Sequence, residues 1–229
     1  MAHAEQKTPS PPRRDAEHSR AEILKAAVAV FAEFGLAGAR VDEIAARAGV
    51  NKALLYHYYS GKEGLFAAAL ESVYADIRVA ESGLDLESMS PEGAITRLVD
   101  FTLDHFLAHP EFLALVSSEN RHQARHLRES EHLREMHMPL VVRIEAVLAR
   151  GAAARVFREG VDALELYISI AALGYFYLSN VHTLSAVFSR DLMAPAALRA
   201  RRTHMHEVVL GYLRPLSSEG AGAPKGELA

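Results

Sequence analysis

Apolar residues recur along most of the chain at the three- and four-residue spacing of amphipathic helices, and no long run shows the two-residue alternation of a strand. Ser19 and Glu22 have the spacing of a capping box, and Gly35 is a stop signal further on. Between them lie apolar positions at helical spacing: Ile23, Ala27, Val30, Phe31 and Phe34. The pattern predicts an all-α protein of about nine helices, the first over 19–35.

Two short helices joined by a glycine turn are predicted next. The first covers 41–48 and ends at Gly49, and Asn51 is the expected N-cap of a second helix that runs through Tyr58. Two short helices with a tight turn, packed on a longer amphipathic helix, are the parts of a helix-turn-helix, whose second helix enters the DNA major groove. The residue pattern therefore predicts a DNA-binding head.

A connector and a larger helical domain follow the head. Ser60 and Glu63 form a second capping box, which opens a connector helix over 62–82. Ser90-Pro91-Glu92 restarts the pattern, and we predict helices at 91–108, 111–125, about 130–150 with Pro139 as a kink or a new start, 162–189 and 195–213. The predicted organisation is a disordered arm (1–18), the helix-turn-helix domain (19–66), a larger helical domain (67–214) and a disordered tail (215–229).

Composition narrows the classes of function. The chain has no cysteine, which excludes disulfides and cysteine-based zinc sites or nucleophiles and fits a cytoplasmic protein. Residues 1–66 carry 9 Lys/Arg against 8 Asp/Glu, and residues 67–229 carry 16 against 21. Because neither part is strongly basic, any DNA contact must be local and geometric. The polar stretch from Met1 to Ser19 lacks the apolar segment of a secretory signal.

A long uncharged stretch raises the question of a membrane span. Leu166 to Ser189 contains no Asp, Glu, Lys or Arg, which satisfies the length of a spanning helix. The stretch also contains Asn180, His182 and several hydroxyl residues, and no clear asymmetry of positive charge flanks it. We therefore expect a helix buried in a core or an interface, with no membrane partner.

The residue types of the predicted second short helix suit DNA. Its leading turn, which would meet base edges, consists of Asn51, Lys52, Ala53 and Leu54. Tyr56, His57 and Tyr58 are candidates for contacts to phosphate oxygens, whereas Leu55 and Tyr59 are expected to point into the head's core. Lys62, near the start of the connector helix, is a further phosphate candidate.

The segment VDEIAARAGVNKALLYHYYSGKEGLF, from Val41 to Phe66, resembles the head of TetR-family regulators. The I-A-x-x-A-G-V turn, the L-Y-x-Y-Y recognition helix and the following K-E-x-L-F are in register, and the resemblance spans Ser19 to Tyr74. It implies a homodimer that reads a pseudo-palindromic operator. It also implies that the larger domain binds a small-molecule effector and dimerises through its last two helices. Because the apolar stripe from Leu65 to Ile77 links both parts, we expect effector binding to shift the connector helix and so to weaken, or less often strengthen, operator binding.

Position by position, the resemblance assigns the base-facing turn to Lys52, Ala53 and Leu54. It assigns phosphate contacts to four residues: Tyr56, His57, Tyr58 and Lys62. Two positions depart from the family pattern: Arg40 replaces a common hydroxyl residue and is itself able to reach a phosphate, and Leu54 favours apolar contact with a thymine methyl. The alternatives are that Tyr56 and Tyr59 are core aromatics and that Lys52 and Lys62 are solvated surface charges.

Polar groups embedded in apolar helices mark the expected effector pocket, because buried polar groups need partners. The candidates are Phe101, His105, Asn120, Arg121, Tyr175 and Asn180. Each could instead make a structural hydrogen bond or belong to an interface. Arg121 or Arg125 would suit an anionic effector, because the guanidinium fork matches a carboxylate.

The dimer interface is expected on the last two predicted helices, which would form a four-helix bundle with those of a second subunit. One stripe holds Ala172, Phe176, Ser179, Thr183 and Val187, and the other holds Leu198, Met205, Val208, Val209 and Tyr212. Arg201 and Arg202 interrupt the second stripe.

Two other classes of function remain open. The His/Glu/Arg-rich segment 119–137 could belong to a helical enzyme or to a metal site, since His122 and His126 have i,i+4 spacing and His132 and His137 follow. It lacks a carboxylate signature for metal and any recognised catalytic motif, so we predict no catalysis, no metal and no cofactor. A helical adaptor that keeps a helix-turn-helix for protein contacts is the third possibility; it would not need the phosphate donors Lys52 and Lys62.

Overall fold

A computed structural model describes residues 13–130 and 138–215, and those residues form eleven helices and no strands. The helices are α1 (Arg13–Gly38), α2 (Val41–Arg47), α3 (Lys52–Tyr58), α4 (Gly61–Ser82), α5 (Pro91–Ala108), α6 (Pro110–Arg121), α7 (Arg125–Glu129), α8 (Met138–Ala153), α9 (Ala163–Ser179), α10 (Val181–Val187) and α11 (Pro195–Leu213). The predicted all-α class is confirmed. The described helices exceed the expected nine because the predicted 162–189 helix is two helices and the short α7 was not foreseen.

The chain divides into two compact units. The first contains the described residues of Met1–Asp76 and Pro110–Leu133, and the second those of Ile77–His109 and Arg134–Ala229. Helix α4 begins in the first unit and ends in the second. In the first unit α1 packs against α2 and α6, and α2 packs against α3. In the second, α5 packs against α8, α9 and α11.

The first unit has an aromatic and aliphatic core. Phe31 and Phe66 meet edge to face with ring centroids 5.1 Å apart, and both are fully buried. The buried side chains around them include Ile23, Ala27, Val30, Ile44, Leu55, Leu65, Ala69 and Leu70. Phe34 is a correction to the predicted stripe: its side chain is 48% exposed, and the Arg47 guanidinium lies 5.8 Å from its ring centroid.

Helix α1 starts earlier than its capping box indicated. The structure begins the helix at Arg13, so Ser19 and Glu22 lie within it, and residues 1–12 of the predicted arm are outside the described residues. The predicted break at Gly35 is present, because this residue has φ 65° and ψ 175° inside the last turns of α1. That left-handed φ suits glycine, which lacks the Cβ that would be strained there.

In the second unit the predicted bounds of α5 and α11 match the structure, and the predicted 162–189 helix does not. Helix α5 spans Pro91–Ala108 as expected, with the Ser90 hydroxyl accepting the backbone N–H of Gly93 at 3.2 Å. The predicted continuous 162–189 helix is wrong, because it breaks at Asn180. The amide of Asn180 donates to the Phe176 carbonyl at 2.9 Å and so competes with the helical ladder.

The broken region also answers the membrane question within the described part of the chain. There, no single helix has the length and apolar composition of a membrane span; α9 and α10 satisfy both only when taken together, and they are bent by 65°. One face of α9 is buried through Leu166, Ile170 and Leu178, while Ile168 and Phe176 are exposed. The uncharged helix is therefore half core and half apolar surface.

Candidate nucleic-acid interface

The α2–α3 pair presents one face of α3 to solvent. Leu55 is fully buried and anchors α3 to the core, while Lys52, Ala53 and His57 are exposed and Tyr56 is 51% exposed. Ala53 and His57 lie on the side of the helix opposite Leu55, whereas Lys52, three residues before Leu55, and Tyr56, directly after it, flank the anchor. The outward set matches the predicted base- and phosphate-facing residues except Leu54 and Tyr58, which are half-buried.

The entry into α3 is fixed by a cap. The Asn51 side chain accepts the backbone N–H of Ala53 at 2.9 Å, as its predicted N-cap role requires. Gly49 makes the turn with φ 66°, and the N–H of Val50 donates to the Ala45 carbonyl at 3.0 Å. Asn51 therefore orders the leading turn of α3, and its side-chain oxygen is already engaged.

Lys52 has an acidic partner on α2. Its ammonium lies 2.7 Å from the carboxylate of Asp42, and this hydrogen bond is the main reason that the pKa of Lys52 is raised. Both side chains are substantially exposed, so solvent screens the pair and its net stabilisation is small. The ammonium is therefore held at the start of α3 by a weak, solvent-screened contact.

The two tyrosines that end the α3 segment contact α1. The Tyr59 hydroxyl donates to the Arg20 carbonyl at 3.2 Å, and partial burial raises the pKa of that hydroxyl. The Arg20 guanidinium lies 5.7 Å from the ring centroid of the half-buried Tyr58. Tyr59 thus links the end of α3 to α1, which agrees with its predicted inward position.

Lys62 and Arg40 lie near the end of α1. The Lys62 ammonium donates to the carbonyls of Ala37 and Ala39 at 3.4 and 3.2 Å, so it compensates free carbonyls at the C-terminal end of α1. Arg40 is exposed, precedes α2 in an extended conformation and makes no side-chain cap there. The structure therefore gives Lys62 a structural contact that the sequence pattern did not indicate.

The sequence also did not reveal a buried histidine that lies between two carboxylates in this unit. Glu119 and His126 are almost fully buried, and the two ring nitrogens of His126 lie 2.7 Å from Glu119 and 2.8 Å from Glu63. Glu63 was expected to complete a capping box with Ser60, but its carboxylate contacts His126 and Arg125. No spacing rule signals this arrangement, because it depends on the fold of α6 and α7 back onto α4.

The metal hypothesis for 119–137 finds no support in the described residues, where no group of three His, Cys, Asp or Glu side chains could hold a metal ion. Nδ1 of His122 lies 2.7 Å from the Ser118 carbonyl, so the i,i+4 pair with His126 does not converge on a shared site. His132 and His137 lie outside the described residues.

The predicted effector residues fall in both units. Phe101, His105, Tyr175 and Asn180 belong to the second unit, whereas Asn120 and Arg121 are exposed residues of the first. Phe101 and His105 are neighbours on α5 with ring centroids 5.6 Å apart, and the His109 ring lies 4.4 Å beyond His105. A surface depression of about 700 Å³ in the second unit is lined by residues of 152–160 and by Pro215, none of which was predicted.

The predicted dimer residues divide by exposure. Phe176 is 61% and Val187 69% exposed, and Thr183 and Tyr212 are also exposed. Leu198 is half-buried, whereas Met205 and Val209 are buried in the protomer's own second unit. Leu164, Ile168 and Val208 are apolar residues that extend the exposed set. Met205 and Val209 therefore pack in the core of the protomer, and the exposed residues of the predicted set form its surface.

Three helices, α1 to α3, share a buried core, a glycine turn joins α2 to α3, and α3 is exposed to solvent. This arrangement defines a helix-turn-helix DNA-binding protein. Comparison with known families extends this to the whole chain. The family described as "Bacterial regulatory proteins, tetR family" matches residues 23–69, and the one described as "Tetracyclin repressor-like, C-terminal domain" matches residues 91–209. The chain belongs to the TetR family of transcriptional regulators, as the resemblance of its head indicated.

One relative matches nearly the whole chain, and a second matches about half of it. The chain is 37% identical to the HTH-type transcriptional repressor NicS of Pseudomonas putida over 201 residues, which cover 88% of this chain and 95% of NicS. It is 46% identical to the repressor SCO4008 of Streptomyces coelicolor over 103 residues, 45% of this chain and 50% of that protein. The match to NicS shows that the relationship extends beyond the head.

Solved structures share the fold. FadR of Bacillus subtilis, in complex with stearoyl-CoA, superposes with a TM-score of 0.64 at 18% identity over 85% of this chain and 100% of FadR. The ketosteroid regulator KstR2 of Mycobacterium tuberculosis gives 0.62 at 19% identity over 90% of this chain and 97% of KstR2. At these identities the likeness concerns the fold alone.

Proposed function

We propose that this regulator is a homodimeric repressor that binds a pseudo-palindromic operator through α3 and is released from it by a small-molecule effector. The observation that carries the proposal is the exposed surface of α3, where Lys52 lies in the leading turn and Tyr56 and His57 follow it. The names of NicS and SCO4008 as repressors support the direction of regulation. As part of the same proposal, the protein acts in the cytoplasm and regulates by binding DNA, without a catalytic step.

Within this proposal the DNA contacts divide into three groups. Lys52 and Ala53 face base edges together with the half-buried Leu54, whose side chain suits a thymine methyl. Tyr56, His57 and Tyr58 contact phosphate oxygens. Three further positions support these contacts. Arg40 reaches a phosphate from its position before α2, and Asn51 orders the leading turn. Lys62 donates to carbonyls at the end of α1 and lies near the DNA-facing surface.

A mobility-shift titration tests this with DNA flanking the gene that encodes the chain. Lys52→Ala should weaken operator binding by about tenfold and reduce the salt dependence by about one counterion. Arg97→Ala is the matched control, because it removes an exposed positive charge from α5, outside the head. Wild-type protein without a salt-sensitive specific complex, or Lys52→Ala equal to Arg97→Ala, would remove the DNA assignment.

We place the effector in the second unit. Phe101, His105 and Tyr175 are the candidates that remain there with aromatic rings on α5 and α9. Asn180 has its amide committed to the Phe176 carbonyl and the Ser179 hydroxyl, and Asn120 and Arg121 belong to the other unit. FadR binds stearoyl-CoA and KstR2 is named for ketosteroids, so relatives of one fold serve unlike ligands, and the effector class here is not carried over from them.

We place the dimer interface on the exposed apolar face of α9 to α11, defined by Leu164, Ile168, Phe176, Thr183, Val187, Leu198, Val208 and Tyr212. Large apolar side chains exposed on neighbouring helices favour an interaction site, because their contact with water is unfavourable. A second copy of the chain would cover it in a four-helix arrangement and bring two recognition helices to one operator.

A further inference from the structure

The first unit contains a buried carboxylate that is completely engaged. Glu119 is 1% exposed, and its Oε1 accepts the backbone N–H groups of His126 and Leu127 at 2.8 and 3.1 Å. Its Oε2 lies 2.7 Å from Nδ1 of His126. These hydrogen bonds tie α6 to α7 and fix the orientation of the imidazole ring.

The opposite ring nitrogen reaches the connector helix. Nε2 of His126 lies 2.8 Å from Oε2 of Glu63, a residue in the first turn of α4, and Arg125 donates to the same oxygen at 3.0 Å. His126 therefore bridges Glu119 and Glu63, and we call this trio the carboxylate–imidazole bridge. It lies within the first unit, where α6 also packs against α1.

The bridge has a definite requirement for protons. An ionised carboxylate only accepts hydrogen bonds, and a neutral imidazole donates from one nitrogen alone. With Glu63 and Glu119 both ionised, the two contacts are hydrogen bonds at the same time only when His126 carries a proton on each ring nitrogen. The pKa of Glu63 is lowered, chiefly by its hydrogen bond to His126, so Glu63 is present as the carboxylate. The charged or titratable groups that face the ring are Glu63, Glu119, Arg125 and His122.

The turn between α6 and α7, which precedes His126, has an unfavourable backbone conformation. Gln123 and Ala124 are consecutive non-glycine residues with φ 58° and 56°, a region that such residues seldom occupy. Strain of this kind persists where the surroundings impose it and is concentrated at functional positions. The N–H groups of His122 and Ala124 both donate to the Glu119 carbonyl, so the same residue shapes the turn and holds the ring.

The bridge is continuous with the DNA-binding core. The His126 ring meets Phe66 edge to face at 5.1 Å, and Phe66 meets Phe31 in the same way at 5.1 Å. Lys62, next to Glu63, donates to the last carbonyls of α1. The first turn of α4 is thus held on one side by α1 and on the other by α6 and α7.

We propose that His126, doubly protonated between Glu119 and Glu63, is a positioning residue for operator binding. It fixes the first turn of α4, and with it the α2–α3 pair, in the arrangement that binds DNA, and operator affinity falls as rising pH removes the second ring proton. The inference rests on the proposed operator binding. Its expected signature is a loss of affinity with pH that depends on a residue far from the exposed face of α3.

The test measures operator affinity of the full chain from about pH 6 to about pH 9. The His126→Gln variant should bind the operator weakly, and its affinity should change less with pH. Between the two ends of the range, the affinity of wild type should fall about tenfold more than that of the variant. His122→Gln is the matched control: it removes a neighbouring imidazole that contacts a backbone carbonyl, and it should follow wild type. His57 places a further imidazole on the exposed face of α3, so each variant is compared with wild type and not with a pH-independent affinity.

A second variant and a spectroscopic measurement guard against simple misfolding. Glu63→Gln removes one end of the bridge from a side chain that is 55% exposed, so the core stays filled and the pH profile should flatten as in His126→Gln. Nitrogen-15 spectra of the histidine rings should show both nitrogens of His126 protonated at the pH of tight binding.

A neutral His126 ring at that pH, or unchanged pH profiles in both variants, would overturn the inference. Failure of the proposed function looks different, because wild type would then bind no operator at any pH. The ring spectra would in that case still report whether the bridge carries its second proton.

Discussion

Glu81 shows how a single buried group can set a pH dependence. It is 4% exposed near the end of α4, where the guanidinium of Arg78 lies 2.8 Å from its carboxylate and also donates to the Tyr167 hydroxyl at 3.0 Å. Burial nevertheless dominates and raises the pKa of Glu81 from 4.5 to about 7. The ionised carboxylate is thus less stable in the folded protein than in the unfolded chain.

This shift predicts that the stability contribution of Glu81 is fully present below about pH 4.5 and is lost as pH rises through about 7. Glu81→Gln removes the titration and should gain stability relative to wild type, on the order of 2 kcal/mol, between about pH 5 and about pH 8. Thermal unfolding across that range measures the difference.

Glu87→Gln is the control, because Arg143 lowers the pKa of Glu87 and its side chain is exposed. It should follow wild type in this window. A Glu81→Gln curve parallel to wild type would contradict the assignment.

At the scale of single residues, sequence reasoning found positions whose roles depend on neighbours close along the chain. The Asn51 cap and the buried Leu55 follow from local spacing, and both are present. Lys62 and His126 could not be placed in this way, because their partners lie on α1, α4 and α6, which only the folded chain brings together. The positive φ values at Gln123 and Ala124 also lack a sequence signal, since neither residue is glycine.

Helix α3 depends on one apolar anchor. Leu55→Ala removes a fully buried side chain and should cost about 2–5 kcal/mol of stability, because the loss of transfer free energy is accompanied by a cavity. Urea unfolding measures it. Tyr56→Ala is matched on the same helix at a 51% exposed site and should leave stability nearly unchanged while weakening DNA binding. Equal unfolding midpoints for the two variants would contradict the assigned orientation of α3.

Helix boundaries could be predicted where a cap or a proline marks them. They could not be predicted where a side chain forms a hydrogen bond with the helix backbone. The Ser90-Pro91-Glu92 start of α5 and the Pro195 start of α11 were correct. The division of 162–189 into α9 and α10 was missed, because Asn180 lies in an uncharged helical pattern without glycine or proline beside it. Its amide competes for a backbone carbonyl, which is a local effect that periodicity does not register.

For the whole molecule, the exposed apolar face of α9 to α11 predicts self-association. Phe176→Glu introduces a charge at a side chain that is 61% exposed in the protomer, and it should raise the dimer dissociation constant by about 100-fold. Sedimentation velocity measures the mass of the full chain. Val79→Glu, at a 72% exposed position on α4, should leave the mass unchanged. A wild-type monomer, or equal effects of both variants, would contradict the proposed interface.

At the scale of the whole molecule, the grouping of α6 depends on contacts between residues that are distant along the chain. Periodicity assigned the helix after 110 to the larger domain, but α6 packs against α1 and groups with the head. That contact joins residues more than 70 positions apart, as in the bond from the Leu36 N–H to the Ser118 hydroxyl. Only tertiary packing decides between the two placements, because the apolar stripe of α6 would suit either.

Footprinting on the DNA that surrounds the encoding gene tests the central claim most directly. Operator recognition by α3 predicts one protected segment with two half-sites related by a dyad, about one or more helical turns apart. Protection by Lys52→Ala should require about tenfold more protein than protection by Arg97→Ala. Protection that is absent, or that spreads over any duplex regardless of sequence, would contradict the claim that α3 reads an operator.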